Sequence, residues 1–179
     1  MESKAGSLTL ASALSPFSKG VQYHENTHEA MTVISGASSI ALHGPTGERF
    51  YSGHAAPVRC LASSSAAGVA ASAAGEGATW ELHIWKPSSL TRVAALLPPT
   101  PANAVTALGF SSSGSRLVGI VRGAEPRALL WKHTESNAQP ELLCSFSYAP
   151  SLAIVLSSST DEPQLLTAAP RSFTFWVGS

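Results

Sequence analysis

Charge is scarce in this 179-residue chain: only 12% of its residues are Asp, Glu, Lys or Arg, and Asp161 is the single aspartate. The 11 basic and 11 acidic side chains cancel, so no net field draws the protein toward nucleic acid or an anionic membrane surface, and neither is expected as a partner. Cysteine is nearly absent. Cys60 and Cys144 each sit alone in an apolar stretch, not in a closely spaced metal-binding pair, which reads as two buried, reduced thiols of a cytosolic protein. No apolar run reaches the roughly 18–20 residues that cross a bilayer as a helix. Ser and Thr interrupt Ser7–Leu14 too often for a secretory leader, and Met1-Glu2 lacks the glycine that a myristoyl anchor requires. No segment sustains an apolar i, i+3, i+4, i+7 stripe, which excludes a helical fold.

What the chain does have is a repeat. Trp85, Trp131 and Trp176 recur about every 45 residues, each closing a short apolar segment, and that period is the length of one four-stranded propeller blade. Gly53-His54 supplies the Gly-His pair that accompanies such blades. Upstream of each tryptophan the units align. Val58–Ser63, Val105–Ser111 and Leu152–Ser157 are short apolar runs ending in serine, and are the candidate innermost strands. A second run follows each Ser-rich turn (Gly68–Ser72, Arg116–Val121, Gln164–Thr167), and the third run carries the tryptophan. Leu90–Leu97 and Glu141–Phe146 are outer runs of the first two units, and nothing equivalent follows Trp176.

The expected organisation has a Ser-, Ala- and Gly-rich tail over residues 1–27 and a hairpin over 28–54, turned at Gly44-Pro45-Thr46-Gly47. Blades follow over 55–97, 102–147 and 150–179. The fold class is therefore all-β, an incomplete WD40-type β-propeller of about three four-stranded blades. Because a blade buries its faces only against neighbours, open faces on the end units predict self-association or dependence on a partner. Gly53, His54, Trp85, Trp131 and Trp176 are expected to be structural, holding blades together, with no catalytic or cofactor-binding residue among them.

The order and spacing of Ile40–His54, Val58–Ala62, Leu82–Trp85 with Leu90, Val105–Ser111, Leu129–Trp131 and Phe173–Trp176 resemble the propeller region of the echinoderm microtubule-associated protein-like family. Met31–His43 with Arg49–His54 looks like the closing part of the hydrophobic motif that precedes the first full repeat there. The resemblance implies a cytoplasmic, cytoskeleton-associated scaffold with tubulin or microtubules as partner. An adaptor in another protein complex is the alternative. The chain departs from the family pattern where Lys86, Lys132 and Val177 stand after the tryptophans in place of Asp, and it lacks the buried Asp that commonly orients the Gly-His histidine.

One motif points to different chemistry. His24-Glu25-Asn26-Thr27-His28 fits the zinc-hydrolase pattern, in which two histidines one helical turn apart hold the metal and the glutamate activates water. That chemistry needs a helix, whereas Asn26 and Thr27 are poor helix formers and β-branched residues flank the segment. A solvated loop is the expectation, with no metal bound. His54 has no nucleophile or acid beside it in sequence, and His83, between Leu82 and Ile84, is expected to point outward from its strand.

Overall fold

The computed structural model describes residues 21–96, 104–123, 126–134, 139–147, 153–156, 164–169 and 172–177. Among these residues the regular structure is β-strand apart from one 3₁₀ turn, Gly77–Thr79. The strands form four antiparallel sheets, each a meander in chain order. Sheet 1 holds β1 (Val21–His24), β2 (Glu29–Val33), β3 (Ile40–Gly44) and β4 (Gly47–Tyr51). Sheet 2 holds β5 (Val58–Ser64), β6 (Val69–Ala74), β7 (Glu81–Lys86) and β8 (Thr91–Leu96). Sheet 3 holds β9 (Ala104–Phe110), β10 (Arg116–Arg122), β11 (Arg127–Lys132) and β12 (Glu141–Ser147). Sheet 4 has three strands, β13 (Ala153–Leu156), β14 (Gln164–Ala169) and β15 (Ser172–Val177).

The first strand of each sheet packs on the first strand of the next, β1 on β5, β5 on β9 and β9 on β13, and among the described residues β13 makes no comparable contact with β1. Four blades thus fan around a common inner line without closing, an incomplete WD-type propeller. The repeat extends to the irregularities. Register slips by one residue just before the tryptophan in both complete tryptophan-bearing sheets, between Ile84 and Trp85 and between Leu130 and Trp131. A second slip recurs near the start of the innermost strand, opposite Arg59 in sheet 2 and Thr106 in sheet 3.

Sheet 1 differs from the expected tail and hairpin. Val21–His24 is a strand, paired in register from Val21↔Thr32 to His24↔Glu29, so residues 21–54 form a blade of their own and the three expected blades become numbers two to four. A composition argument for a tail holds for long polar stretches, but four residues beginning Val-Gln-Tyr need only a partner edge, which β2 supplies. Residues 1–20 lie outside the described residues. The 44–47 turn stands as expected, with Gly44 opposite Gly47 and Gly47 at φ 116.

Sheet 2 is covered on both sides, and its sequence shows why it fits there. All six residues of β6 are buried, and four are alanine, so neighbouring sheets approach its backbone closely. On one side Met31, Ile40, Leu42 and Tyr51 of sheet 1 meet Val58, Leu61, Ala70 and Trp85. On the other, Cys60, Leu82, Ile84 and Leu96 meet Val105, Leu117, Leu129 and Trp131 of sheet 3. Each fully buried Leu, Ile or Val contributes about 1.5–3 kcal/mol relative to exposure, so these two joints dominate the fold's stability. Cys60 belongs to the second joint, its thiol directed at the Val105 carbonyl oxygen 3.7 Å away, and burial pushes its pKa up to about 12. Cys144 does not match its expectation: it lies exposed on β12, the outermost strand of sheet 3, where no further strand covers it.

Candidate functional site

The Gly53-His54 pair follows β4 and leads from sheet 1 into sheet 2, and its backbone is constrained at once. A Cβ on Gly53 would come within 2.6 Å of Tyr51 Cζ, so only glycine lets the chain fold back over that ring. His54 then enters the joint. Its Nε2 lies 2.7 Å from Ser72 Oγ on β6, and the same hydroxyl oxygen accepts the Trp85 indole N–H at 3.1 Å. On its other side His54 Nδ1 lies 3.1 Å from Glu81 Oε1, and Glu81 Oε2 lies 3.1 Å from His83 Nε2. Tyr51 Oη meets His83 Nδ1 at 3.0 Å.

These contacts assign every proton. The ionised Glu81 can only accept, so His54 carries its hydrogen on Nδ1 and its Nε2 accepts from the Ser72 hydroxyl, whose oxygen in turn accepts the Trp85 indole N–H. His54 Nδ1–H then donates to Glu81 Oε1, His83 Nε2–H donates to Glu81 Oε2, and Tyr51 O–H donates to His83 Nδ1. The rings pack accordingly: the two imidazoles stack with centroids 4.0 Å apart, and Tyr51 stacks on Trp85 at 4.2 Å. Both histidines are held below their ordinary pKa, first by burial; for His54 the neighbouring His83 adds to the shift, and its value falls to about 4. Burial alone would raise Glu81, but the hydrogen bond from His54, the electrostatic attraction of the neighbouring His83 and the Ala55 N–H hold it below the usual carboxylate range. Tyr51 is pushed up to about 12, chiefly by burial.

Three expectations change here. His83 does not point outward; it is fully buried, because the face of β7 that carries Glu81, His83 and Trp85 is covered by sheet 1 while Leu82 and Ile84 face sheet 3. The acid that orients the Gly-His histidine is not missing either: Glu81 takes the part expected of an Asp, its longer side chain reaching both imidazoles. A nucleophile type also sits beside His54. Ser72, His54 and Glu81 form a serine–imidazole–carboxylate chain with hydrolase-like spacing. Ser72 is nevertheless wholly buried and its oxygen is occupied by Trp85, so no acyl group can reach it.

The other repeat positions keep the backbone register without the chemistry. Trp85, Trp131 and Trp176 pair with Ala70, Leu117 and Leu165, which places Gly119 and Thr167 at the position of Ser72. In sheet 3 the Trp131 ring lies over Gly119, where an added Cβ would stand 2.8 Å from Cζ3, and Leu129 occupies the place of His83. Trp85 and Trp131 are buried as expected; the environment of Trp176 lies outside the described residues.

Among the described residues, His54, Glu81 and His83 are the one group of three side chains close enough to share a cation. The two imidazoles are stacked 4.0 Å apart, every ring nitrogen already has a hydrogen-bond partner, and the Arg92 guanidinium stands 3.5 Å from His83 Nε2, where it opposes a further cation. This is a hydrogen-bonded junction and a poor cation site. The His24–His28 motif is not helical. His24 ends β1 and is buried, Glu25–His28 make the turn into β2, and His28 is exposed with φ 53. Glu25 serves the turn as well, its N–H donating to Ser65 Oγ at 2.9 Å.

The chain matches no protein-family model and no curated protein sequence. Its fold is similar to that of a chain in the solved structure "Crystal Structure of Mitotic Checkpoint Complex", a WD40 propeller, with TM-score 0.69 at 15% identity. The alignment covers 89% of this chain and 50% of that one, so the chain spans about half its length. At that identity the likeness concerns the fold.

Proposed function

We propose that this chain is a non-enzymatic protein-binding scaffold, cytoplasmic and cytoskeleton-associated, whose partner is tubulin or the microtubule. The scaffold part rests on one observation: the densest set of reactive side chains, Tyr51, His54, Ser72, Glu81 and His83, faces inward and spends its hydrogen bonds joining two sheets. What the fold offers to solvent is turns and outer strands, which vary without disturbing the blades and suit protein docking. A cleft of about 330 Å³ lies beside Lys86, Ser89, Thr91 and His133, and shares Arg92 with the inward network. The partner's identity rests on the resemblance of the repeat motifs to the microtubule-associated family. Co-sedimentation with polymerised tubulin tests it: pelleting that saturates with polymer is expected, and a chain that stays in the supernatant at micromolar polymer removes tubulin as the partner.

The adaptor reading draws support from the likeness to a chain of a multi-protein assembly; binding to other proteins with no affinity for tubulin would favour it. Self-association through the outer faces of sheets 1 and 4, which no described sheet covers, belongs to the same reading, and light scattering reads it directly. The non-enzymatic part has its own test. A fluorophosphonate probe is expected to leave Ser72 unlabelled in the folded chain, and labelling abolished by His54→Gln would make the buried serine–histidine–glutamate chain an active site.

A further inference from the structure

We infer that the joint between sheet 1 and sheet 2 is an acid-operated release, in which protonation of the stacked His54–His83 pair frees sheet 1 while sheets 2 and 3 stay packed. The two joints of sheet 2 differ in kind. The buried titratable side chains His24, Glu29, His54 and His83 all belong to sheet 1 or face it, whereas the cluster between sheets 2 and 3 is apolar apart from the Cys60 thiol. On the far side, among the described residues, His133, just after β11, and the Cys60 thiol are buried, and the Arg116 guanidinium on β10 has buried nitrogens. Metal binding and catalysis are poorly served by the same constellation, as argued above, but sensitivity to protons follows from its wiring.

Each imidazole offers its last lone pair to a hydroxyl: His54 Nε2 to Ser72 and His83 Nδ1 to Tyr51. A proton added at His54 Nε2 turns that acceptor into a donor, so Ser72 Oγ receives two N–H groups and its own hydrogen is left facing no acceptor. A proton at His83 Nδ1 does the same to Tyr51. Three further groups face the pair: Glu81 on β7, Arg92 on β8 and the Tyr51 phenol on β4. With both rings neutral, Glu81 (−1) and Arg92 (+1) sum to zero; with both protonated the sum is +2, in a buried stack 4.0 Å across. One carboxylate cannot neutralise two imidazolium rings and a guanidinium.

The sign follows from linkage. Both histidines lie below their ordinary value while docked, so the released state takes up protons first. Docking is fully supported above about pH 6.5, weakens as pH falls below it, and goes on weakening until His54 itself charges at about 4. Where both histidines are still neutral in the docked state, two linked protons raise the ratio of released to docked chain by at most about a hundredfold per pH unit. The remaining ties between the sheets include a third imidazole, the buried His24, which is hydrogen-bonded to the Ser64 backbone on β5 and is likewise held below its ordinary pKa, chiefly by burial, and Arg49, which holds the Pro87 and Ser88 carbonyls at 2.9 and 3.0 Å while paired with Glu29.

Pulse-labelling hydrogen exchange on the full chain, equilibrated between pH 7 and 4 and labelled under one fixed condition, reads the release sheet by sheet. Residues 29–51 are expected to lose protection between pH 6 and 4 while residues 116–122 keep theirs. In the double variant His54→Gln, His83→Gln, each glutamine keeps a donor and an acceptor but takes up no proton, and residues 29–51 should lose protection at lower pH and less steeply than in the parent, with only His24 left to titrate in the joint. The parent chain alone gives a second reading that survives a variant failing to fold: the pH dependence of the exposed fraction must be steeper than one proton allows. Loss of protection spread evenly over all sheets, an unchanged transition in the folded double variant, or a slope of one proton or less overturns the inference.

Discussion

Ser72→Ala is the sharpest perturbation of the junction, because it removes one oxygen and almost no volume. Ser72 is completely buried in the middle of β6 and mediates between two groups that have no alternative contact in the junction, the Trp85 indole N–H and His54 Nε2. Leaving a buried donor or acceptor unmade costs about 1–3 kcal/mol each, so two orphans predict about 3 kcal/mol in all. Against a typical stability of about 5–15 kcal/mol this is a large fraction, readily measured as a lowered urea midpoint at unchanged slope. A double-mutant cycle isolates the cause. In a Trp85→Phe background the indole donor is already gone, and Ser72→Ala should then cost only the His54 half, giving a coupling of about 1–1.5 kcal/mol. A cost of about 0.5 kcal/mol or less for the single change, or strict additivity with Trp85→Phe, would mean that the indole and imidazole are not joined through this hydroxyl.

How far the junction was legible in the sequence depends on what each signal measures. The tryptophan period and the Ser-rich turns report the path of the chain, and the strands fall where those runs lie, down to Val58, Val105 and the tryptophan-bearing third strands. Alternation along Glu81-Leu82-His83-Ile84-Trp85 likewise divides the residues between two faces. What alternation cannot reveal is whether the polar face meets water or another sheet, and in a blade covered on both sides it meets a sheet. The outward expectation for His83 fails for this reason, and Glu81 fills the orienting role although the repeat pattern places an Asp there. Ser72 carries no local signal at all, since it stands in an alanine run and acquires its role only when His54, 18 residues earlier, folds over it. Val21–His24 carries no strand signal for a related reason: a four-residue strand is too short to show a period, and its hydrogen bonds come from the partner edge. Sheet 3 sets a limit on repeat logic. It shares the register and the bulges of sheet 2, yet with Gly119 and Leu129 at the two polar positions it fills the same space with an indole and an aliphatic chain.

The remaining expectations follow from packing and exposure. Trp131→Ala should cost about 3–5 kcal/mol, as for other large buried aromatics, and thermal unfolding of the purified variant checks it; a melt like the parent's would dissolve the joint between sheets 2 and 3. Gly53→Ala should destabilise by about 1–3 kcal/mol through its collision with the Tyr51 ring, and should disturb the near-ultraviolet circular dichroism of the Tyr51–Trp85 stack. The two thiols should separate cleanly in an alkylation time course. Cys144 is exposed on the outer edge of sheet 3, whereas Cys60 is buried with its pKa pushed up to about 12 and its hydrogen directed at the Val105 carbonyl across the joint. The reactive species is the thiolate, and at pH 8 a thiol with pKa near 12 is ionised about one part in ten thousand before burial slows it further. One equivalent of a maleimide should therefore react promptly and the second only as the joint between sheets 2 and 3 opens, so that the slow rate reports the stability of that joint. Two equivalents taken up at equal rates by native protein would place Cys60 at the surface, and with it the face of sheet 2 on which sheet 3 is built.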